Sequence, residues 1–315
     1  MFFRPAFRLV KDGTSYHFMR GRFAGLIVSA ILSTASVVLF FYPGLNLGID
    51  FKGGIVMEVH TPAPADFNAI RAALAQAGLH EPQVQRFGTE QDVAIRLEAQ
   101  PTEAGTQQVV STVRAALDAS QPGSKIERTD AVGASVSAEL FQDGMLALGL
   151  SLLMILVYIW FRFEWQFAVG AVVTLVLDVT KAIGFLALTR FDFDLVMVGA
   201  ILTIIGYSTN DKVVVYDRMR ENLRKYKTMP LRELIDLSIN ETLNRTLGTS
   251  MTLFLASLPL ALFGGSSLSG FAWVMLFGIV IGTSSSIFIA APILLFLGEK
   301  QLRRDIKVPA ASPKV

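Results

Sequence analysis

The sequence predicts a polytopic α-helical membrane protein, with six transmembrane helices and a small α+β domain inserted between the first two. Three observations support this fold class. Of the 315 residues, 52% are hydrophobic and 17% are charged, and the mean hydropathy is +0.50, which is too apolar for a soluble protein of this size. Apolar runs of about twenty residues, enough to cross ~30 Å of hydrocarbon, recur six times. One long polar segment, residues 43–138, interrupts them.

The six apolar runs define the predicted spans. The first is too long for a signal-peptide core and lacks a small-residue cleavage site, so we expect a retained membrane anchor. An amino-terminal arm (1–22) precedes it, a polar loop (217–244) separates the fourth and fifth spans, and a tail (298–315) follows the sixth. The predicted spans are 23–42, 140–161, 167–188, 195–216, 246–263 and 271–297, the last five lying within the segment 139–297.

Lysine and arginine predict the orientation, because they are enriched in the cytoplasmic flanks of membrane spans. Three basic clusters fall on one side if the spans alternate, so both termini are expected in the cytoplasm and residues 43–138 on the opposite side. The clusters are Arg4, Arg8, Lys11, Arg20 and Arg22 in the arm; Arg218, Arg220, Arg224, Lys225, Lys227 and Arg232 in the loop; and Lys300, Arg303, Arg304 and Lys307 in the tail.

The polar insert alternates strand-like and helix-like patterns. Four strand-like stretches, "IVMEVH", "PQVQRFG", "DVAIRLE" and "SKIERTDAVG", enclose two stretches of helical spacing, "PADFNAIRAALAQAG" and "TQQVVSTVRAALDAS". The order βαββαβ is that of a ferredoxin-like split fold. The insert shows no catalytic constellation, which indicates a binding or levering module rather than an enzyme; the alternative is a simple spacer.

Composition excludes several kinds of chemistry. The chain has no cysteine, so disulfides and thiolate sites are ruled out, and His17, His60 and His80 stand too far apart to suggest a metal cluster. No phosphate-binding loop of the ATPase type is present. A net charge of +2 does not suggest a nucleic-acid partner. We therefore expect neither a cofactor nor a metal, and no enzymatic activity.

Asp211 is the most informative residue, because a carboxylate inside a bilayer costs ~2.5 to 3.5 kcal/mol. It lies in the stretch "IIGYSTNDKVVVYDRMREN", ~9 Å of helix rise inside the predicted cytoplasmic boundary. Arg245 begins the fifth span from the same side, so the two are expected in one membrane layer. Burial opposes ionisation of the carboxyl group and a guanidinium favours it, which suits a proton-coupled switch. Alternatively, Arg245 is an ordinary interfacial anchor and Asp211 its structural counter-ion.

Other polar residues surround this pair in the sequence. Asn210 and Tyr207 could hydrogen-bond to the carboxylate or join helices, and the latter interpretation is favoured for Tyr207. Lys212 lies ~100° around the helix from Asp211, and we expect it to point away, toward the membrane interface.

Asp178 is a second acid near the middle of the third span. Lys181 lies three residues on, on the same helical face, so a self-contained ion pair is one interpretation. A functional role would instead require Asp178 to face the fourth span or a partner protein.

Two further patterns indicate packing. Gly278 and Gly282 form a small-residue motif that lets membrane helices approach closely. A helical stripe of apolar residues before the fifth span is expected to lie in the cytoplasmic interface: Leu231, Leu234, Ile235, Ile239 and Leu243.

Taken together, several motifs resemble the SecF family of bacterial protein export over nearly the whole chain. They are "LGIDFKGG", "VGASVSAEL", "FRFEW", the stretch around Asp211, "ETLNRTLGTS" and "GTSSSIFIAAP". The chain departs from the pattern at Leu177, where many relatives have histidine before the aspartate, and at Lys212, where many have a small hydroxyl residue.

The resemblance implies half of a resistance-nodulation-division (RND) unit, completed by SecD as a pseudo-twofold assembly of twelve helices. It implies an inner-membrane protein that uses proton flow to help draw preproteins from the SecYEG channel, with YajC, the unfolded preprotein and lipid as further partners. It carries the proton-relay role onto Asp211 and Arg245. Two alternatives remain: an RND-type exporter of small molecules or lipids, and a passive scaffold of the channel.

Overall fold

A computed structural model describes residues 14–79, 82–86, 89–100 and 102–297. Most of the predicted arm, the whole predicted tail and His80 lie outside these ranges. The orientation inferred from the basic residues of the arm and the tail therefore stays a prediction.

The insert is a four-stranded antiparallel sheet covered by two helices. Its strand order is β3-β4-β2-β5, and its core is formed by the buried side chains of these strands and of α3 and α4. It follows helix α1 (Arg22–Phe41), a short strand β1 (Asn46–Leu47) and a helical turn α2 (Ile49–Lys52). Its elements are β2 (Gly54–His60), α3 (Phe67–Gln76), β3 (Gln83–Arg86), β4 (Asp92–Leu97), α4 (Glu103–Ser120) and β5 (Lys125–Val132).

The remaining chain is a bundle of long helices. Five helical segments of the described residues, including α1, are long and apolar enough to cross a membrane, and they make this a membrane-embedded protein. The elements are α5 (Ala134–Arg162), α6 (Trp165–Thr189), β6 (Asp192–Phe193), α7 (Leu195–Lys225), α8 (Leu231–Phe263), α9 (Gly265–Ser285), a π-helical segment (Ser286–Ala290) and α10 (Ala291–Phe296).

The predicted cytoplasmic loop 217–244 is not a loop. Helix α7 continues to Lys225, α8 begins at Leu231, and only five residues connect them. The apolar stripe Leu231 to Leu243 is buried against the carboxyl-terminal part of α7, rather than lying in the membrane interface. Periodicity identified the apolar face correctly, but it could not distinguish a membrane surface from a neighbouring helix.

Helix α9 packs against both α7 and α8, and small residues allow it to approach α7 closely. A methyl group added at Gly278 would lie 2.4 Å from the side chain of Ile204, and one at Gly282 would lie 3.3 Å from Ser208. This contact brings the end of α9 next to the middle of α7.

Candidate functional site

A cluster of charged and hydroxyl side chains lies buried between α6, α7 and α9. Asp178 of α6 accepts a hydrogen bond of 2.9 Å from the ammonium of Lys212 on α7. The same carboxylate oxygen, Oδ2, accepts hydrogen bonds of 2.7 Å from the hydroxyl groups of Ser208 and Ser285. Both Asp178 and Lys212 are 1% exposed, so the ion pair is removed from solvent and from the bundle surface.

Helical spacing explains how these groups meet. Ser208 and Lys212 are four residues apart on α7, and Lys212 also donates to the carbonyl oxygen of Ser208 at 3.3 Å and to its hydroxyl group. Lys181, three residues after Asp178 on α6, has its ammonium 3.8 Å from the other carboxylate oxygen, Oδ1. Asp178 therefore faces α7, the predicted fourth span, and the Lys181 contact is the longer of its two ion pairs.

The expectation that Lys212 points toward the membrane interface is wrong. An isolated buried charge costs more than a buried pair, so the long lysine side chain bends to the nearest carboxylate across the helix boundary. Separation by 100° on the helix places Lys212 on the face that meets α6.

Asp211 is also buried, with 4% exposure, beside this cluster. The hydroxyl groups of Thr246 on α8 and Ser286 on the π-helical segment face its carboxylate, and the ammonium of Lys212 interacts with it electrostatically. Neither Asp211 Oδ2 nor Thr246 Oγ1 makes a geometrically complete hydrogen bond to the described residues. Asp211 Oδ2 can therefore accept a proton or a further hydrogen bond.

The predicted contact between Asp211 and Arg245 is absent from this conformation. The Arg245 side chain is exposed, and no ion pair within the described ranges joins it to Asp211. The prediction rested on a shared membrane depth, and depth does not fix the face of α8 on which Arg245 lies. The proton-relay role of the two residues stays a prediction.

Among the described residues, no hydrogen bond joins the side chain of Tyr207 or Asn210 to the carboxylate of Asp211. The Tyr207 hydroxyl group meets those of Ser250 on α8 and Thr283 on α9, at 3.3 Å in the latter case, so Tyr207 joins three helices. Asn210 is exposed and lines a cavity of about 360 Å³ between α5 and α7.

The amino-terminal end of α7 is attached to the insert. Arg96 of β4 forms an ion pair with Asp192 in the link before α7, and Asp50 Oδ2 accepts a 3.1 Å hydrogen bond from the backbone N–H of Leu195. Strands β1 and β6 pair in parallel at the same place. Burial raises the pKa of Asp194, which caps α7, and the charge of Asp50 adds to the effect. Two-residue strands give no detectable sequence signal, so this joint was not predicted.

Comparison with known proteins adds an independent observation. A family model described as "Protein export membrane protein SecD/SecF, C-terminal" matches residues 112–300, and a "SecD/SecF GG Motif" model matches residues 38–61. The "Protein translocase subunit SecF" of Rickettsia felis is 42% identical over 95% of this chain and 97% of its own length. The chain belongs to the SecF family. The SecF subunit of Rhodobacter capsulatus is 43% identical over 92% of this chain and 91% of its own.

Solved structures of SecDF share this fold. The crystal structure of SecDF from Thermus thermophilus, described as a translocon-associated membrane protein, superposes with a TM-score of 0.83 at 30% identity and covers 93% of this chain. A SecDF structure in a super-membrane-facing form gives 0.63 at 29% identity and covers 96%. The chain spans 40% and 41% of those longer chains.

The glycine pair of the SecF motif has a backbone explanation. Gly53 and Gly54 have φ values of 73° and 139°, which side chains with a Cβ rarely adopt. A Cβ at Gly54 would also lie 2.7 Å from the carbonyl oxygen of Leu97 in β4. The pair therefore lets β2 begin directly beside β4 and close to the joint with α7.

Three residues of the buried cluster were not predicted to belong to the site: Lys212, Ser208 and Ser285. Lys212 was predicted to point toward the membrane interface and to be a departure from the family pattern, not to be part of the site. The spacing of four residues between Ser208 and Lys212 could have predicted that these two side chains lie on one face of α7. The sequence contains no comparable signal that Asp178 points toward that face.

Proposed function

We propose that this SecF chain is a non-enzymatic accessory subunit of the Sec protein translocase, which works with SecD to promote preprotein translocation with the proton-motive force. The names and the full-length similarity of its relatives support the translocase assignment. The SecDF superpositions support SecD as the partner, since those chains carry this fold together with a further segment. SecYEG, YajC, lipid and the emerging preprotein complete the proposed surroundings.

The proposed topology has six spans, with α7 as the fourth despite its charges, and places both termini in the cytoplasm of an inner-membrane protein. The insert is then periplasmic. Its all-antiparallel strand order β3-β4-β2-β5 supports a ferredoxin-like split fold. The bundle is proposed to be one half of an RND-type unit.

The observation that carries the proposal is the position of Asp211 on α7. This carboxylate is buried, its Oδ2 accepts no geometrically complete hydrogen bond from the described residues, and the other end of the same helix is fastened to the insert about 24 Å away by helix rise. A change in the charge of Asp211 would alter its packing against Thr246 and Ser286, and α7 would transmit the movement to the insert.

One proton supplies enough free energy for such a movement. Transfer down the membrane potential yields ~2.3 kcal/mol per 100 mV, and each pH unit adds ~1.4 kcal/mol. A total of ~3 to 5 kcal/mol shifts a two-state equilibrium by about two to nearly four powers of ten.

In this mechanism Arg245 is an ion-pair partner either for Asp211 or for a carboxylate of SecD. Its exposed position on α8 leaves it available to approach Asp211 in a second conformation or to meet a carboxylate of SecD. Asp178 and its lysines complete the proposed relay within this chain.

The test is export into inverted membrane vesicles that contain SecD, with and without a proton-motive force. We expect Asp211→Asn and Arg245→Ala to lose the stimulation that depends on the proton-motive force while the complex still assembles. Asp217→Asn is the matched control, since Asp217 lies on the same helix outside the buried cluster, in half-exposed ion pairs with Arg162 and Arg220. Normal stimulation by Asp211→Asn would leave the passive-scaffold alternative.

A further inference from the structure

The ammonium of Lys212 sits in a cage made of oxygen atoms. Its Nζ contacts Asp178 Oδ2 at 2.9 Å, the carbonyl oxygen of Ser208 at 3.3 Å and the Ser208 hydroxyl group. Ser285 orients the same carboxylate oxygen from α9. A carboxylate, a backbone carbonyl and a hydroxyl group are the hard oxygen ligands that alkali and alkaline-earth cations take in proteins.

The number of carboxylates limits the charge of such a cation. Only Asp178 belongs to the cage, and the described residues contain no group of three or more histidine, aspartate or glutamate side chains that could hold a metal. One carboxylate with neutral oxygens suits a monovalent ion and not a divalent one.

The charged side chains buried between α6 and α7, here called the seam, also indicate a monovalent ion. Four charged side chains are buried in α6 and α7, two acids and two lysines, so the cluster is neutral when all are ionised. Removal of the Lys212 ammonium leaves one uncompensated negative charge in a low-dielectric seam. A single monovalent cation in the vacated cage restores neutrality. The four residues are Asp178, Lys181, Asp211 and Lys212.

We propose that the side-chain ammonium of Lys212, which is covalently attached to α7, occupies a site that would otherwise bind sodium. Asp178, Ser208 and Ser285 form this latent sodium site. A tethered ammonium cannot leave, so Na⁺ does not enter, and only a proton can change the charge of this seam. The selectivity for protons over Na⁺ rests on the proposed function, whereas the latent site itself does not.

The experiment measures thermal unfolding of the full chain in lipid nanodiscs, in sodium chloride and in equal concentrations of potassium and N-methyl-D-glucamine chloride. Lys212→Ala opens the cage, so saturating Na⁺ is expected to raise its Tm by about 2 to 4 °C over the organic cation. Wild type is expected to show no sodium-specific shift. Lys212→Met refills the cavity with an apolar chain, and Asp178→Asn/Lys212→Ala removes the anionic ligand, so both are expected to be insensitive to Na⁺.

Each outcome decides the question. A sodium-specific shift in wild type, its absence in Lys212→Ala, or its survival in Asp178→Asn/Lys212→Ala overturns the proposal. If Lys212→Ala folds only when it is prepared in sodium chloride, the site is supported. If it folds in neither salt while Lys212→Met folds in both, the proposal fails. A sodium response together with normal export by Asp211→Asn would keep the site and reject the proton-coupled function.

Discussion

Lys212 on α7 and Asp178 on α6 form a buried ion pair 2.9 Å long, which joins the third and fourth predicted spans at the level of Asp211. The pair sits where the Gly278 and Gly282 contact also brings in α9, so three helices converge on a single carboxylate oxygen. Charge neutrality and helix packing are therefore linked at this point, because loss of Asp178 takes away the carboxylate that Lys181 and Lys212 share, and loss of Lys212 leaves Asp178 with the longer contact to Lys181.

Removal of one partner of this pair is expected to destabilise the bundle strongly. Asp178→Asn leaves the Lys212 ammonium buried without its counter-ion, which costs about 3 to 5 kcal/mol. The neutral double variant Asp178→Asn/Lys212→Met should recover most of that loss, since a well-packed apolar chain can replace a buried pair. Thermal unfolding of the four members of this double-mutant cycle in lipid measures the coupling, and additive losses would contradict the assignment.

Close packing of α7 and α9 gives a second prediction. A methyl group at Gly278 would lie 2.4 Å from two carbon atoms of Ile204, so Gly278→Ala is expected to cost about 1 to 3 kcal/mol through overpacking. The control is Gly248→Ala on α8, where no atom lies within 4 Å and the helix propensity of alanine should be neutral to stabilising. Equal unfolding midpoints for the two variants would be incompatible with the contact described here.

A substitution at Tyr207 can distinguish a structural role of this residue from a role in the proton relay. Its hydroxyl group meets Ser250 and Thr283, so Tyr207→Phe removes hydrogen bonds among α7, α8 and α9 that contribute about 0.5 to 1.5 kcal/mol each. We expect a small loss of thermal stability with export stimulation retained. Loss of stimulation without loss of stability would instead place Tyr207 in the relay.

The sequence predicted where helices and strands lie better than it predicted which side of each helix packs against which neighbour. Apolar length located the five described helical segments that are long and apolar enough to cross a membrane, whereas α7, the predicted fourth span, is not among them. The βαββαβ pattern located every strand of the insert sheet, because both signals are local. The ion-pair partners of Asp178 depend on rotation of one helix against another, which no local pattern contains. Arg245 illustrates the limit: its membrane depth could be estimated, but its exposed side of α8 could not.

The insert should show acid sensitivity at Asp92. Hydrogen bonds from Thr89, followed by the contact with His60, lower the pKa of this carboxyl group from its ordinary 3.8. A lowered folded-state pKa means that the ionised group stabilises the fold at pH values above 3.8 and that this contribution is lost as pH falls from there through the folded pKa. The protection of the β4 amides in the full chain, which is the exchange rate compared with the intrinsic rate at the same pH, should therefore fall in that range.

The matched variants for this pH dependence are Asp92→Asn and Asp118→Asn. Asp92→Asn is expected to exchange faster at neutral pH and to lose the acid-dependent step. Asp118 is an exposed acid on α4, so its replacement should leave the step in place. An unchanged profile in Asp92→Asn would remove this carboxylate as the cause.

The joint between the insert and α7 leads to the last prediction. Arg96 is largely buried, its Nε makes no hydrogen bond to the described residues, and Asp192 is its ion-pair partner. Burial lowers the pKa of the Arg96 guanidinium, although an arginine stays charged at any physiological pH. Asp192→Asn therefore removes its ion-pair partner and leaves Asp194 as the carboxylate that acts on it electrostatically. We expect this variant to loosen β4 from the start of α7 and to uncouple the insert from the membrane helices. Spin labels on α4 and on the carboxyl-terminal end of α6, next to β6, should then give a broader distance distribution, with reduced export stimulation and unchanged assembly with SecD. Asp130→Asn, which breaks a half-exposed ion pair with Arg128 on β5, is the control and should change neither measurement. A narrow distribution with reduced stimulation in Asp192→Asn would show that the joint acts by some means other than holding the insert in place.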